Sequence, residues 1–116
     1  EHYVLNGIGL EPNPVQQPRP PIWLAARGGA GKPIRRAACY DGIFPIEMDS
    51  DRFPRMLEEI MTVRGDLDGF DIAVKADPGT MPPPFTHESA TWVMHAWPAV
   101  ADLDHVFDVV GHGSPE

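Results

Sequence analysis

The stretch ARGGAGKP, residues 26–33, places three glycines and two cations between the apolar run IWLAA and the run IRRAACY. Glycine lets the backbone approach a ligand closely, and exposed amides at the start of a helix can bind an anion. The side chains of Arg27 and Lys32 can add positive charge. The pattern therefore predicts a phosphate site. On the residues alone, a tight strand-to-helix turn that is merely rich in glycine is an equal alternative.

The loop does not match the common nucleotide-binding motifs. A Walker loop needs Gly, four residues, and then Gly-Lys-Ser/Thr. Gly31 and Lys32 match its end, but Ala26 stands in place of the first glycine and Pro33 in place of the hydroxyl that binds magnesium. The run GGAG also lacks the G-x-G-x-x-G spacing of dinucleotide sites. A nucleoside-triphosphate site is therefore disfavoured.

Other reactive residues form no recognisable set. His87-Glu88 and His95 lack His-Glu-x-x-His spacing and an evident third ligand, so we expect no metal site. The serines have no flanking elbow glycines. Cys39 is the single cysteine, which excludes an internal disulfide, and we expect it to be buried. Glu58-Glu59 are expected on a solvated helix face. No residue is assigned a catalytic role.

Composition narrows the class of protein. The 116 residues suffice for one domain, and the formal net charge is -8. Such an acidic chain is a poor candidate for non-specific binding to nucleic acid or to anionic lipid. No apolar run reaches the length of a membrane span, and no signal-like segment opens the sequence. We therefore expect a cytoplasmic protein with neither nucleic acid nor membrane as partner.

The elements that position the loop alternate between strands and helices. Apolar runs predict strands over 22–26, 41–46 and 70–76. A helix is predicted from about Pro33 to Tyr40. A second, amphipathic helix has its apolar residues at helical spacing: Phe53, Met56, Leu57, Ile60 and Met61. This order predicts an α/β fold built from parallel βαβ units, with the first strand buried on both faces.

The flanking regions are rich in proline. We predict a single domain over 1–116, with an extended lead at 1–21, a βαβαβ core at 22–76, and a final section at 77–116. The lead contains a short strand or hairpin around Asn6-Gly7. The final section holds a proline-rich loop, a stretch at 88–98 that fits either a strand or a helical turn, and a closing helix. The closing helix is expected to end at Gly111.

Residues 14–46, PVQQPRPPIWLAARGGAGKPIRRAACYDGIFPI, resemble the luciferase-like flavin-dependent oxidoreductases, also called luciferase-like monooxygenases. The resemblance lies in the lead QQPRPPIW, the strand that ends in paired glycines, the run RRAA and the run DGIFP. The later runs FDIAVKA and ATWVMHAWP are similar to following segments of that family. The resemblance implies the C-terminal part of a TIM-type (β/α)8 barrel that uses FMN or a deazaflavin coenzyme.

The resemblance also implies site residues. The loop after this strand holds the coenzyme phosphate in such proteins, which carries over to Ala26, Arg27, Gly28, Gly29, Gly31 and Lys32. Trp92 is implied near the barrel mouth, as a wall of the substrate pocket that could touch an isoalloxazine-like ring. The coenzyme performs the redox chemistry, and the protein supplies placement and electrostatics. FMN and deazaflavin stay equal alternatives, and the substrate stays open.

The chain departs from the family pattern at several points. Cys39 stands where an arginine is common, His95 stands where an acidic residue is common, and residues 77–89 replace an expected helix. A complete barrel has about 250 residues. We therefore expect a homo-oligomer or a missing N-terminal half-barrel, with this chain alone inactive. The alternatives are a truncated, non-catalytic assembly module and a small α/β domain that binds another phosphorylated ligand.

Overall fold

The computed structural model describes residues 6, 7, 9, 11, 12 and 15–113. Within them, strands and helices alternate along the chain. The strands are β1 (Trp23–Arg27), β2 (Gly42–Ile46), β3 (Asp71–Ala76) and β4 (Trp92–His95); the helices are α1 (Gly31–Ala37), α2 (Arg52–Arg64) and α3 (Leu103–His112). A short 3-10 helix covers Pro84–Thr86. The strand or hairpin predicted within the first ten residues lies almost wholly outside the described residues.

The strands form one parallel sheet in the order β1-β2-β3-β4. Trp23 pairs with Gly42 and Gly42 pairs with Asp71, while Ala73 pairs with Trp92. The predicted α/β fold with parallel βαβ units is confirmed. The stretch at 88–98, which the sequence left open between strand and helix, contains β4.

One face of the sheet carries the hydrophobic core. Strand residues that face α1 and α2 pack with the apolar stripes of those helices. The buried cluster is Ala26, Ile34, Ala37, Ala38, Ile43, Phe53, Met56, Ile60, Phe70, Ile72 and Val74. Because side chains alternate along a strand, the opposite face carries Trp23, Ala25 and Arg27 together with their register partners. We call this second face, over which no helix of the described chain packs, the open face.

Helix α2 follows its predicted pattern closely. Phe53, Met56 and Ile60 are buried, while Met61, predicted to face inward, is half exposed. At the helix start, a carboxylate oxygen of Asp49 accepts hydrogen bonds from the amides of Asp51 and Arg52. The hydrogen bond from Arg52, ahead of that from Asp51, lowers the pKa of Asp49.

Three predicted boundaries or environments are wrong. Helix α1 begins two residues before Pro33 and ends at Ala37, because the amides of Cys39 and Tyr40 bond back to Arg36 and Ala37 in tight turns. Cys39 is exposed within these turns and not buried. Helix α3 continues through Gly111 to His112.

The first strand differs from its prediction in burial. Its apolar run predicted a strand covered on both faces, but only Ala26 is buried and Ala25 is exposed. In the part of the chain that the structure describes, no layer covers the open face on this side of the sheet. The apolar run of β1 therefore indicates a surface suited to being covered.

Contacts of Asp41 join the strands at their amino ends. A carboxylate oxygen of Asp41 lies 2.7 Å from the amide nitrogen of Ile22 and 2.5 Å from a guanidinium nitrogen of Arg19. The hydrogen bond from Arg19, followed by that from Ile22, lowers the pKa of Asp41. The amide of Asp71 in turn donates to the carbonyl of Asp41. Asp41 thereby connects the starts of β1, β2 and β3.

Gly42 is required by close approach. A Cβ atom at this position would lie 2.6 Å from the carbonyl oxygen of Asp71, 2.7 Å from Cδ1 of Trp23 and 2.8 Å from Cβ of Asp71. The indole of Trp23 therefore crosses β2 at the only residue type that leaves room for it. This contact explains the glycine in the run DGIFP.

We predict that Gly42→Ala destabilises the fold by about 1–3 kcal/mol, because overpacking against backbone forces the strands apart. Gly111→Ala is the matched control, since among the described residues no atom beyond its chain neighbours and its own helix backbone lies within 4 Å of its Cβ position. Alanine also favours a helix by up to about 1 kcal/mol over glycine. Urea unfolding followed by circular dichroism measures both. Equal stability of the Gly42→Ala variant and the wild type would contradict the proposed contact.

Candidate functional site

The glycine-rich loop leaves the carboxyl end of β1 in a tight turn. Gly28 and Gly29 have φ angles of 60° and 76°. The amide of Ala30 donates to the carbonyl of Arg27 at 3.2 Å, which closes the turn. Two successive residues at positive φ define a type I′ turn, where glycine is favoured at both central positions. The paired glycines thus have a structural cause.

Part of the backbone of this loop is free to bind a ligand. The amide of Gly28 donates to the carbonyl of Ile46 at 2.9 Å, and the amide of Ala30 closes the turn. Within the described part of the chain, the amides of Gly29, Gly31 and Lys32 have no acceptor. The amides of Gly28 and Ala30 are therefore not available to a ligand, because the first bonds to β2 and the second closes the turn.

The cations around the loop are not equivalent. Arg27 is paired with Glu47, the residue that follows β2. No carboxylate in residues 15–113 lies within ion-pair distance of Lys32, which is exposed. Arg52 packs its aliphatic carbons beside Gly29, its Cδ 3.6 Å from the Cβ position there. Arg52 is a third cation at the loop, and sequence reasoning missed it.

A carboxylate also reaches the loop. Oε1 of Glu59 would lie 2.9 Å from a Cβ atom at Gly31, and Glu59 pairs with Arg35 of α1. Only 26% of its side chain is exposed. The expectation of a solvated face is therefore wrong for Glu59, which lies between α2 and the first turn of α1. Its negative charge therefore lies close to the Gly31 backbone, where it would repel a nearby anion.

Trp92 lies at the amino ends of the strands, whereas the glycine loop lies at their carboxyl ends. It is the first residue of β4, and its indole nitrogen donates to Oδ1 of Asp71 at 3.0 Å. The indole nitrogen of Trp23 donates to Oδ2 of the same carboxylate at 3.0 Å, and the two rings lie 5.6 Å apart. The glycine loop follows Arg27, which lies about 13 Å along β1 from Trp23 at the usual rise per strand residue. The structure does not bring Trp92 together with the loop.

The sequence analysis missed two further residues at the carboxyl ends of the strands. Glu47 has a φ of 56°, which is uncommon for a residue with a side chain and clusters at functional positions. Glu47 and Lys75 line a cavity of about 130 Å³ with Phe53, Phe85 and neighbouring residues. The only signal in the sequence was the position of each residue at or just after the carboxyl end of a predicted strand.

The histidines considered as metal ligands bond to the backbone. Nε2 of His87 lies 2.9 Å from the carbonyl of Pro82, and Nδ1 of His95 lies 3.0 Å from the carbonyl of Asp77. Among the described residues, no group of three or more His, Cys, Asp or Glu side chains could hold a metal ion. In the same part of the chain, every helix is too short or too polar to cross a membrane.

Comparison of the chain with protein-family models, with curated proteins and with solved structures gave no match.

We predict that Asp71→Asn destabilises the protein by about 1–3 kcal/mol, because one indole N–H then faces an amide donor in place of a carboxylate oxygen. Asp68→Asn, at an exposed loop position, is the matched control and should be neutral. Chemical unfolding followed by tryptophan emission measures both the stability and the environment of Trp23 and Trp92. If the two variants behave alike, Asp71 does not bridge the indoles in solution.

Proposed function

We propose that the loop at 26–32 binds the phosphate of a flavin-type coenzyme, FMN or a deazaflavin, within part of a luciferase-like oxidoreductase. The observation that carries the proposal is the type I′ turn at Gly28-Gly29. It directs the chain from β1 into α1 and leaves the amides of Gly29, Gly31 and Lys32 without protein acceptors in the described chain. Unpaired amides beside an exposed lysine favour a bound anion.

The proposed architecture is the C-terminal part of a TIM-type (β/α)8 barrel. Four parallel strands in sequential order, each beside the next, are typical of a singly wound sheet that closes into a barrel. A doubly wound sheet would reverse its strand order. The open face supports the same interpretation, since its residues stack in rows across the strands as barrel interiors do. Phosphate sites in such barrels lie at the carboxyl edge, where the loop lies.

The described residues fit the phosphate end of the coenzyme. Gly29, Gly31 and Lys32 would hold the phosphate through their amides, and the Lys32 ammonium would add charge. The coenzyme, when bound, supplies the redox chemistry. Trp92, at the amino edge, takes no part in this proposal. The walls for the ring and for the small-molecule substrate would come from a second copy or from an N-terminal half-barrel over the open face.

A second candidate function is binding of another phosphorylated ligand by the same loop. It is favoured by the contacts that the loop itself offers, three backbone amides and one ammonium group, which recognise a phosphate and not a ring. The third possibility, a non-catalytic assembly module, is favoured by the exposed apolar side chains of β4 and α3. Coenzyme titration distinguishes the first function from the third, and competition between FMN and simple sugar phosphates distinguishes it from the second.

We predict that FMN binds the purified chain at least about tenfold more tightly than riboflavin, a difference of about 1.4 kcal/mol supplied by the phosphate contacts. Fluorescence titration measures both ligands. Equal binding of FMN and riboflavin would show that the phosphate is not recognised. Competition by a simple sugar phosphate at similar affinity would favour the second candidate function.

A pair of variants tests the position of the site. Gly29→Asp should abolish the preference for FMN, because its carboxylate repels the phosphate. Gly29→Asn has the same size and also tolerates positive φ, but it is neutral, so it should retain most of the preference. If Gly29→Asp and Gly29→Asn bind FMN equally well, the phosphate lies elsewhere.

The position of Glu59 predicts a substitution that strengthens FMN binding. Glu59→Gln should raise FMN affinity about two- to fivefold, because charge interactions near a protein surface are worth about 0.2–1 kcal/mol. Glu58→Gln removes the same charge from an exposed position on α2 and should have little effect. The measurement is the same titration at low salt. An unchanged affinity in Glu59→Gln would place the anion away from Gly31.

A further inference from the structure

The two edge strands of the sheet are suited to pairing with each other between two copies of the chain. β1 and β4 are the edge strands, and no strand of the described chain pairs with their outer sides. Exposed edges of this kind are normally blocked by proline, inward charge or a bulge, and the runs WLAAR and WVMH contain no proline. All four strands are parallel, so β4 of one copy can pair with β1 of another in the same sense. Two sets of four strands make eight, the number at which such sheets close.

Helix α3 has an apolar stripe that packs against nothing within residues 15–113. Leu103, Phe107 and Val110 fall at helical spacing and are 68%, 72% and 70% exposed. The opposite side of the helix makes the contacts: Val109 lies against Gly79, and the ring of His105 lies 5.4 Å from that of Trp97. A ten-residue helix is marginal in water unless its apolar side packs on something. We therefore expect the stripe to pack against a surface outside the described chain.

A groove of suitable character lies along the free edge of β1. It has a volume of about 450 Å³ and is lined by Leu24, Ala25, Lys32, Pro33 and Arg36. Its floor is apolar, and its cationic side chains belong to α1. In a β/α sheet, the helix that follows one strand packs between that strand and the next, and α1 accordingly contacts both β1 and β2. If β1 of a second copy follows β4, then α3 belongs beside that β1, which is where the groove lies.

The charges of the helix and the groove are complementary. Asp104 and Asp108 are one helical turn apart and flank the apolar stripe on the side of Phe107. Lys32 and Arg36 line the groove, and neither has an ion-pair partner among the described residues. Complementary charges at the rim select the partner and its orientation. In a chain with a net charge of -8, this pairing also offsets part of the repulsion between two copies.

We propose that two copies of this chain form a two-fold dimer in which α3 of each copy binds the groove beside β1 of the other. The strand pairs β4–β1 then close an eight-stranded barrel, and the open faces of both copies form its interior. The occupant of the groove is a second copy of this chain. The proposal does not depend on coenzyme binding.

A charge exchange tests the proposed contact. Variant one carries Asp104→Lys and Asp108→Lys, and variant two carries Arg36→Glu; all three positions are exposed, so the fold should persist. In variant one alone, lysines face the cations of the groove at both contacts. In variant two alone, the glutamate introduced at position 36 faces the two aspartates and offsets the charge of Lys32 at both contacts. Mixed in equal amounts, the variants form one native contact and one contact in which the introduced glutamate faces two lysines. Asp68→Lys, in the loop after α2, is the control for a charge reversal away from the contact.

Sedimentation equilibrium of the ligand-free chain provides the measurement. We expect the wild type and Asp68→Lys to reach twice the 12.8 kDa chain mass. The dimer dissociation constant should rise at least about tenfold in each charge variant, and the mixture should recover most of the loss, as oppositely charged rims require. A wild type that stays at 12.8 kDa at its highest soluble concentration overturns the proposal. A dimer that both variants leave unchanged overturns the assigned surface. Lys32 is not substituted, so these outcomes are independent of the FMN titration.

Discussion

The carboxylate of Asp71 is the contact on which the sheet depends. It accepts hydrogen bonds from the indole nitrogens of Trp23 and Trp92, each at 3.0 Å, and so connects β1, β3 and β4 on the open face. The indole of Trp23 can cross β2 only because Gly42 has no side chain. A one-residue slip of any strand would turn these side chains toward the core. The bridge thus fixes the register that places the glycine loop at the other edge.

The open face combines the properties of a surface and of an interior. It holds a buried alanine, Ala73, beside an exposed tryptophan, Trp92, and its charged residues lie only at its two ends. The core on the helix side and the Asp71 bridge hold the sheet together without a layer that covers this face. The chain can therefore fold with the face uncovered, while the apolar area that remains exposed favours association. Folding and assembly are separate steps in this arrangement.

Local sequence patterns predicted the helices and strands, but they could not predict contacts between residues far apart in the sequence. Helix α2 was predictable because Phe53, Met56 and Ile60 repeat at helical spacing. The bond between Trp92 and Asp71 joins residues 21 positions apart, and no periodicity signals it. Glu59 has the sequence signature of a solvated residue, yet it packs against α1 because two helices share that space. Of the candidate site, the glycine turn was predictable, while Arg52 and Glu47 were not.

The strength of the proposed site depends on the cover of the open face. Around the loop, the charges of Arg27 and Arg52 are largely offset by Glu47 and Asp49, so backbone amides and Lys32 carry the attraction. Hydrogen bonds to a charged ligand are worth about 1.5–3 kcal/mol each, and association costs about 4–15 kcal/mol. Three amides and one lysine therefore hold a lone phosphate weakly. Useful affinity requires further contacts to the rest of the ligand, and the surface that covers the open face is the one placed to provide them.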